Sequence, residues 1–347
     1  MTKLSTIIAA SLLSIGLASP VQAADSEIKW KMQSAYPGGL VQLGASGKYF
    51  ASQLEVISGG NMKVKFYEPN ALVPALEILG AVQTGSIDAG WAAAGFWAGK
   101  VPAASFFGSV PFGPNAGEYM AWLSYGGGQE IWDELYKPLG VKGIACGMLA
   151  PESSGWFRKE IKSLTDLKGL KMRFYGLGAK VMEKHGVSTQ LMAPGDIFPA
   201  LERGTLDATE FSQPAIDLKL GFYQVAKHYY FPGWHQQASL LELLVNLEKW
   251  NALSDTQRSQ IDTVCSANMQ LTLAEGEAIQ FDALATLEEK GVNIHSWSNE
   301  ILAELQKSWN EVVVEESAEN ADFKRVWDSL SAFRAKYSKW NSVGYLK

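Results

Sequence analysis

The chain has few cysteines and histidines, and it lacks the short motifs that mark common zinc and hydrolase sites. It contains two cysteines, Cys146 and Cys265, and four histidines in 347 residues. Because no CxxC pair is present and the histidines are scattered, the sequence gives no indication of a zinc site. The HExxH pattern of zinc proteases and the GxSxG pattern of serine hydrolases are also absent. The motifs therefore give no support to these two classes of hydrolase.

The two cysteines lie far apart in the sequence, and each is flanked by apolar residues. An oxidising compartment would allow one disulfide between them, whereas a cysteine in apolar surroundings is often simply buried. We interpret Cys146 and Cys265 as two buried free thiols, and a disulfide between them is the alternative.

Long apolar runs are also lacking, because no run after the N-terminus reaches the ~20 apolar residues of a membrane-spanning helix. The N-terminus combines Lys3, an apolar run over 4–18 and small residues up to Ala23. This pattern is typical of a secretory signal peptide, and no cysteine stands at the cleavage point to indicate a lipoprotein. We predict a signal peptide over 1–23, cleaved after Ala23, and a periplasmic mature protein. An uncleaved anchor is the alternative.

Charge is spread evenly along the chain, with no run of five like charges, no low-complexity tract and no internal repeat. Thirty basic residues stand against 36 acidic ones, a net charge of −6. A negative, mixed surface favours solubility and argues against nucleic acid or anionic lipid as a partner. We therefore predict no nucleic-acid partner.

Strand and helix patterns alternate from residue 28 onward. Alternating apolar and polar residues predict strands, and apolar residues at helical spacing predict helices. The first predicted series consists of strands Ile28–Ser34, Met62–Phe66, Ile87–Trp91 and Gly140–Leu149 and helices Val41–Ile57 and Pro74–Gln83. A second strand–helix–strand series follows over Lys168–Phe211, and Ala238–Asn246 is predicted as a strand that returns to the first series. This alternation is typical of the α/β class.

Two crossings between the series, near residues 150 and 237, predict two domains. The first comprises 24–150 and about 238–270, and the second comprises 151–237 and about 271–347. Helical spacing over Asp255–Lys290 predicts one helix of about 50 Å at ~1.5 Å per residue, long enough to lie across both domains. Two domains joined by at least two strands suit hinge closure around a ligand in the cleft between them.

A lone arginine and a glutamate of opposite charge end two strands of the second series. Arg173 lies in an apolar strand, and Glu210 ends the strand 205–210. A guanidinium on a mostly buried strand needs an anionic partner, and its planar fork matches a carboxylate. Strand ends in α/β sheets commonly present ligand groups. We predict an anion site at Arg173 with a cation beside it, and an internal salt bridge of Arg173 is the alternative.

The segments around these residues resemble a known family. They read WF at 156–157, KMRFYG at 171–176, GDIFPALERGTLDATE at 195–210 and YYFPGW at 229–234. Their order resembles the DctP-type solute-binding subunits of tripartite ATP-independent periplasmic (TRAP) transporters, over about Ile28 to Trp340. The most similar branch binds 2-oxo and 2-hydroxy monocarboxylates. The resemblance implies a two-domain periplasmic binding protein fold, type II-like, and a receptor that delivers an organic anion to membrane permease subunits rather than an enzyme.

The resemblance also implies roles for individual residues. Arg173 would clamp the carboxylate of the solute. A cation would be held by Glu152, Glu210, the backbone carbonyl of Phe211 and Gln236. The family has glutamine at the position of Glu152 and glutamate at that of Gln236, so the two residue types have traded places while two negative charges are kept. Such all-oxygen ligands suit a hard cation, calcium or sodium.

On the solute side the chain departs from the branch that it resembles. Phe96 and Trp97 stand where that branch has tyrosines before a Trp-Gly-Lys sequence. The missing hydroxyls favour a solute with a more apolar or aromatic tail. The predicted solute contacts are Arg173, Glu152, Phe96, Trp97 and Tyr36.

Two other functions share parts of this pattern. A secreted hydrolase would use the paired glutamates, and a ligand-sensing partner of a membrane receptor would share the fold and pocket. We also predict a monomer, because the branch can dimerise through an exchanged C-terminal helix, whereas this sequence stops at Lys347, soon after Trp340.

Overall fold

The computed structural model describes residues 26–346 as an α/β protein with two sheets, as the sequence predicts. In chain order the strands are β1 (Ile28–Ser34), β2 (Met62–Tyr67), β3 (Ala89–Ala92), β4 (Val141–Leu149), β5 (Gly155–Phe157), β6 (Lys171–Arg173), β7 (Ser188–Gln190), β8 (Ala208–Thr209), β9 (His228–Phe231), β10 (Ser239–Asn246) and β11 (Asn293–Ser296). The helices are α1 (Leu43–Ile57), α2 (Ile78–Gln83), α3 (Ala116–Tyr125), α4 (Gly128–Tyr136), α5 (Gly178–Lys184), α6 (Pro194–Glu202), α7 (Pro214–Leu220), α8 (Leu247–Asn251), α9 (Asp255–Ala278), α10 (Gln280–Glu289), α11 (Asn299–Glu319) and α12 (Ala321–Gly344). The predicted signal peptide lies outside the described residues.

The first sheet has the strand order β2-β1-β3-β10-β4. Strands β1, β2 and β3 are parallel, and β10 runs antiparallel between β3 and β4. Every residue of β10 is buried, which fits a central strand covered on both faces. The predicted return of 238–246 to the first series is confirmed by this pairing.

The second sheet has the order β11-β9-β5-β8-β6-β7. Its central strands are short, and β5 is antiparallel to β8 and β9, whereas β6 is parallel to β7 and β8. Arg173 on β6 is paired with Thr209 on β8. Glu210, the residue after β8, therefore lies beside Arg173, the last residue of β6.

The chain passes between the sheets after β4 and again after β9, and a long bent helix passes between them a third time. The helix α9 packs on β4 and α1, whereas α10 packs on α7. The long helix predicted for Asp255–Lys290 is confirmed, and it is bent at Ile279, where α9 and α10 meet. Gly276, just before the bend, lies where an added Cβ would come within 3.3 Å of the Ala150 Cβ. The missing side chain thus lets the helix pass close to the segment that leaves β4.

The C-terminal helices pack on different sheets. The helix α11 contacts α5, which connects β6 and β7 of the second sheet. The helix α12 packs against α3 and α4, which lie between β3 and β4 of the first sheet in the chain. Arg334 of α12 donates hydrogen bonds to the Glu118 carboxylate and to the carbonyl of Phe112. The division of the chain into two domains near residues 150 and 238 stays a proposal. It assigns α12 to the second domain, whereas α12 packs against helices of the proposed first domain.

The two cysteines form a disulfide, which corrects the prediction of free thiols. Cys146 on β4 and Cys265 on α9 have Cα atoms 4.1 Å apart, and the bond closes a loop between residues separated by 119 positions. The apolar flanks that suggested unpaired burial are real, since both cysteines are buried. Apolar flanks, however, do not indicate which strand and which helix pack together.

We expect the double variant Cys146→Ala, Cys265→Ala to unfold more easily than the wild type by about 2–4 kcal/mol, because a long loop in the unfolded chain is no longer closed. Denaturant unfolding under non-reducing conditions measures this difference. Wild-type protein unfolded in the presence of dithiothreitol should match the variant. A free thiol detected in the denatured, unreduced wild type would contradict the bond.

Among residues 26–346, no helix combines the length and the apolar character that crossing a membrane requires.

Candidate functional site

A cavity of about 30 Å³ lies between the two sheets. Residues that lie beside both sheets contribute to its wall, and the crossing segments after β4 and β9 form part of it. The lining residues are Tyr36, Leu43, Ala93, Phe96, Leu149, Glu152, Arg173, Tyr175, Phe211, Ser212, Gln236, Ser239, Leu240 and Leu241. Six of the residues predicted from the sequence therefore meet here, and Glu210 contacts one of them.

Arg173 and Glu210 form a fully buried ion pair at one side of the cavity. The Arg173 Nη1 donates to Glu210 Oε2 at 2.8 Å and to the Glu210 backbone carbonyl at 2.7 Å. The Arg173 Nε–H has no hydrogen-bond partner among the described residues. The Phe211 ring lies 5.2 Å from the guanidinium carbon. The internal salt bridge therefore exists, and it leaves part of the guanidinium fork for another anion.

Glu152 and Gln236 are brought together by the two crossing segments. The Glu152 backbone N–H donates to the Gln236 carbonyl at 3.1 Å. The Gln236 side-chain amide donates to the Ser239 hydroxyl at 2.8 Å, so its oxygen faces away from this bond. Both side chains are almost completely buried. The two predicted ligands are thus neighbours although they are 84 positions apart in the sequence.

Three oxygens of this group are buried and have no hydrogen-bond partner among the described residues. They are Glu152 Oε2, Glu210 Oε1 and Gln236 Oε1. An unpaired buried oxygen is costly, and a buried carboxylate costs more unless a cation or a proton compensates it. All three are the hard oxygen donors that calcium and sodium prefer. The residues present therefore fit a cation of this kind.

The pKa of Glu152 is raised well above its usual value, first because the side chain is buried and second because the Glu210 charge is near. A hydrogen bond with Ser239 and the Arg173 charge act in the opposite direction. In residues 26–346 no group of three histidine, cysteine, aspartate or glutamate side chains is arranged to hold a metal. A cation at this place thus needs the amide oxygen of Gln236 and backbone oxygens in addition to the two carboxylates.

The aromatic wall of the cavity contains Tyr36 and Phe96, with ring centroids 5.8 Å apart. Trp97 is not among the lining residues. Its indole N–H instead donates to Glu242 Oε2, on β10 of the first sheet, at 3.1 Å. The prediction that Trp97 contacts the solute therefore has less support from the geometry than that for Phe96. Trp97 instead anchors the turn that carries Phe96.

The sequence patterns did not single out several buried polar groups near the site. Tyr175 and Ser239 line the cavity. Asp217 accepts hydrogen bonds from the Trp156 indole and the Tyr229 hydroxyl, and burial raises its pKa to about 7. His235 Nε2 lies 3.6 Å from Glu210 Oε1. Tyr175, His235 and Ser239 lie within three residues of a predicted site residue, whereas no local spacing marks Asp217, whose partner Trp156 is 61 positions away.

Glu242 gives a prediction for the pH dependence of stability. Burial raises its pKa to about 8, although the bond from Trp97 lowers it. The folded state therefore keeps a proton that the unfolded chain releases above its ordinary pKa near 4.5, so stability falls as pH rises from about 4.5 to 8. Between pH 5 and 8, we expect the wild type to lose up to about 1.4 kcal/mol per pH unit relative to Glu242→Gln. Denaturant unfolding at several pH values tests this, and parallel profiles of the two proteins would contradict it.

Residues 35–320 match the DctP family model, described as bacterial extracellular solute-binding protein, family 7. The chain belongs to this family. The family consists of extracytoplasmic solute receptors that work with TRAP membrane subunits, and neither it nor the relatives described here are enzymes.

Three relatives show the similarity in detail. A monocarboxylate 2-oxoacid-binding periplasmic protein of Nostoc sp. is 37% identical over 94% of this chain and 90% of its own length. A TRAP solute-binding protein of Bordetella bronchiseptica, crystallised with calcium and picolinate, has a TM-score of 0.89 and 32% identity, covering 92% of this chain and 95% of that one. A TRAP solute-binding protein of Pseudoalteromonas atlantica, with bound sodium and pyruvate, has a TM-score of 0.87 and 27% identity, covering 91% and 96%.

Proposed function

We propose that this DctP-family protein captures a small carboxylate with an oxygen on carbon 2, together with calcium or sodium, and presents it to TRAP membrane subunits. The observation that carries the proposal is the buried guanidinium of Arg173 beside three unpaired oxygens at one cavity. Arg173 supplies the positive charge for the solute carboxylate. Glu152, Glu210, Gln236 and the carbonyl of Phe211 are the proposed cation ligands.

In this arrangement the cation and Arg173 bind the solute together. A carboxylate and an adjacent oxygen form a chelating pair, which the cation binds while the free part of the Arg173 fork holds the carboxylate. Pyruvate and picolinate, the solutes of two relatives, both offer a carboxylate next to a second donor atom on the neighbouring carbon. Tyr36 and Phe96 provide an apolar wall for the rest of the solute, which favours an apolar or aromatic substituent.

A thermal-shift panel tests the class of solute. We expect pyruvate and phenylpyruvate to raise the unfolding temperature in the presence of calcium, since a ligand at 100 times its dissociation constant adds about 2.7 kcal/mol of stability. Propionate and benzoate are matched controls that lack the second donor atom. Stabilisation by sugars or amino acids alone, with none from the 2-oxo acids, would contradict the proposal.

The oligomeric state is a separate proposal. We propose a monomer, and light scattering at micromolar concentration measures it. The end of α12 exposes Trp340 and Val343, and Tyr345 and Leu346 beyond it are also exposed. Self-association through this surface would appear as a dimer mass that rises with concentration and would contradict the monomer.

A further inference from the structure

Tyr175 reaches across the cleft from the second domain to the first. It follows β6 by two residues, and its hydroxyl accepts a hydrogen bond of 2.9 Å from the backbone N–H of Gly95. Gly95 belongs to the single turn 94–97 that follows β3 in the first sheet. The bond therefore joins elements that belong to different sheets.

The hydroxyl fits into a socket that two glycines leave open. A Cβ at Gly95 would lie 2.5 Å from the Tyr175 hydroxyl oxygen, and one at Gly108 would also come within 3.0 Å of it. Neither glycine adopts a positive φ, and Gly108 has a φ of −107°. The backbone would thus tolerate alanine at both places, and only the approach of Tyr175 requires glycine.

The other end of Tyr175 is attached to the site. Its backbone N–H donates to Glu210 Oε2 at 3.0 Å, the oxygen that also accepts from Arg173. The Tyr175 ring packs edge-on against Phe96, with centroids 5.3 Å apart, and both rings line the cavity. One residue therefore contacts the proposed cation ligand, the cavity wall and the socket of the opposite domain.

We propose that Tyr175 is the positioning residue that holds the cleft closed over the solute and thereby sets the rate at which the solute leaves. The inference rests on the proposed solute-binding function. Closure seats the hydroxyl between Gly95 and Gly108, where it accepts a hydrogen bond from the buried backbone N–H of Gly95. Opening the cleft requires this bond to break, so its loss shortens the lifetime of the closed complex.

The first test is Tyr175→Phe, with pyruvate and calcium as the probe. Without the hydroxyl, the Gly95 N–H is buried unpaired in the closed state, so we expect pyruvate to dissociate about 5–30-fold faster. The association rate should change little, because encounter takes place in the open state. Stopped-flow tryptophan fluorescence separates the two rates. An unchanged dissociation rate would overturn the proposal.

The second test uses the shape of the socket. Gly108→Ala places a methyl group against the hydroxyl, and we expect affinity for pyruvate to fall about 30-fold or more, a loss comparable to that of other overpacked sites. The next nearest atoms to that Cβ are Gly95 N at 3.2 Å and Ser105 O at 3.4 Å, so the hydroxyl is the main obstacle. Adding Tyr175→Phe to Gly108→Ala should therefore restore affinity to within about 5-fold of Tyr175→Phe alone.

The matched control is Gly99→Ala, two residues beyond the same turn, where an added Cβ meets nothing within 4 Å. Its affinity for pyruvate should equal that of the wild type. A double variant no tighter than Gly108→Ala would overturn the proposal, because a general packing defect would not be relieved by the loss of one oxygen.

Hydrogen exchange separates a failure of this inference from a failure of the proposed function. If the wild type binds neither pyruvate nor phenylpyruvate, the proposed solute class is wrong. Exchange of the Gly95 amide in the ligand-free protein then tests the closure role of Tyr175. Protection of that amide in the wild type and its loss in Tyr175→Phe would support this role. Equal exchange in both proteins would overturn it.

Discussion

Arg173→Ala is expected to lose affinity for pyruvate by about 100-fold or more, because the solute carboxylate would be desolvated without its charged partner. The structure adds a second effect. Glu210 accepts from Arg173 in a fully buried pair, so the variant leaves a carboxylate without its counter-charge. Breaking a buried pair from one side typically costs about 3–5 kcal/mol. Calorimetry and denaturant unfolding should therefore both report large losses.

Two further variants isolate these effects. Arg173→Lys keeps the charge but loses the planar fork, so it should recover stability more fully than affinity. Arg203→Ala removes an exposed arginine after α6 and should leave both unchanged. Unchanged pyruvate affinity in Arg173→Ala, together with normal folding, would reduce Arg173 to a structural residue of the salt bridge with Glu210.

Local patterns were sufficient for much of the fold and for two residues of the site, Arg173 and Glu210. The strand 28–34 was predicted with the bounds that the structure has, since its buried and exposed residues alternate at its start. Arg173 and Glu210 were identified because a charged residue at the end of an apolar strand is visible in the sequence. Their direct pairing depends on the register of β6 and β8, which no local pattern encodes.

The errors and omissions have the same physical origin. The disulfide depends on α9 packing over β4, and the flanks of each cysteine are apolar whether or not they are paired. Tyr175 and Gly95 are 80 positions apart, and Asp217 is 61 positions from Trp156. Such contacts depend on how distant segments pack together, so they become visible only in three dimensions.

The exchanged residues Glu152 and Gln236 lead to a prediction about the cation. A bound carboxylate would bring three negative charges together with Glu152 and Glu210, against one positive charge from Arg173. A closed cleft has a low effective dielectric, so an uncompensated net charge there is costly. Calcium brings the sum to zero, whereas sodium leaves one negative charge. We therefore expect pyruvate to bind more tightly with calcium than with sodium, and chelation of calcium to weaken binding.

The charge count, rather than the place of each residue, should matter most. Glu152→Gln removes one negative charge from the proposed cation site, and Gln236→Glu adds a third one that opposes the solute carboxylate. We expect each to weaken binding of pyruvate with calcium by about 100-fold, which corresponds to about 2.7 kcal/mol. The double exchange restores two negative charges and should return affinity to within about 10-fold of the wild type.

Calorimetry with pyruvate and calcium measures all three proteins. The exposed pair Glu202→Gln and Gln224→Glu provides the same charge changes outside the cavity lining and should have no effect. Additive losses in the double exchange would show that each position has a fixed role that charge alone does not explain. A liganded crystal structure with no cation density between Glu152, Glu210 and Gln236 would show that the site is absent. The raised pKa of Glu152 would then mean a protonated acid that donates a hydrogen bond to the solute.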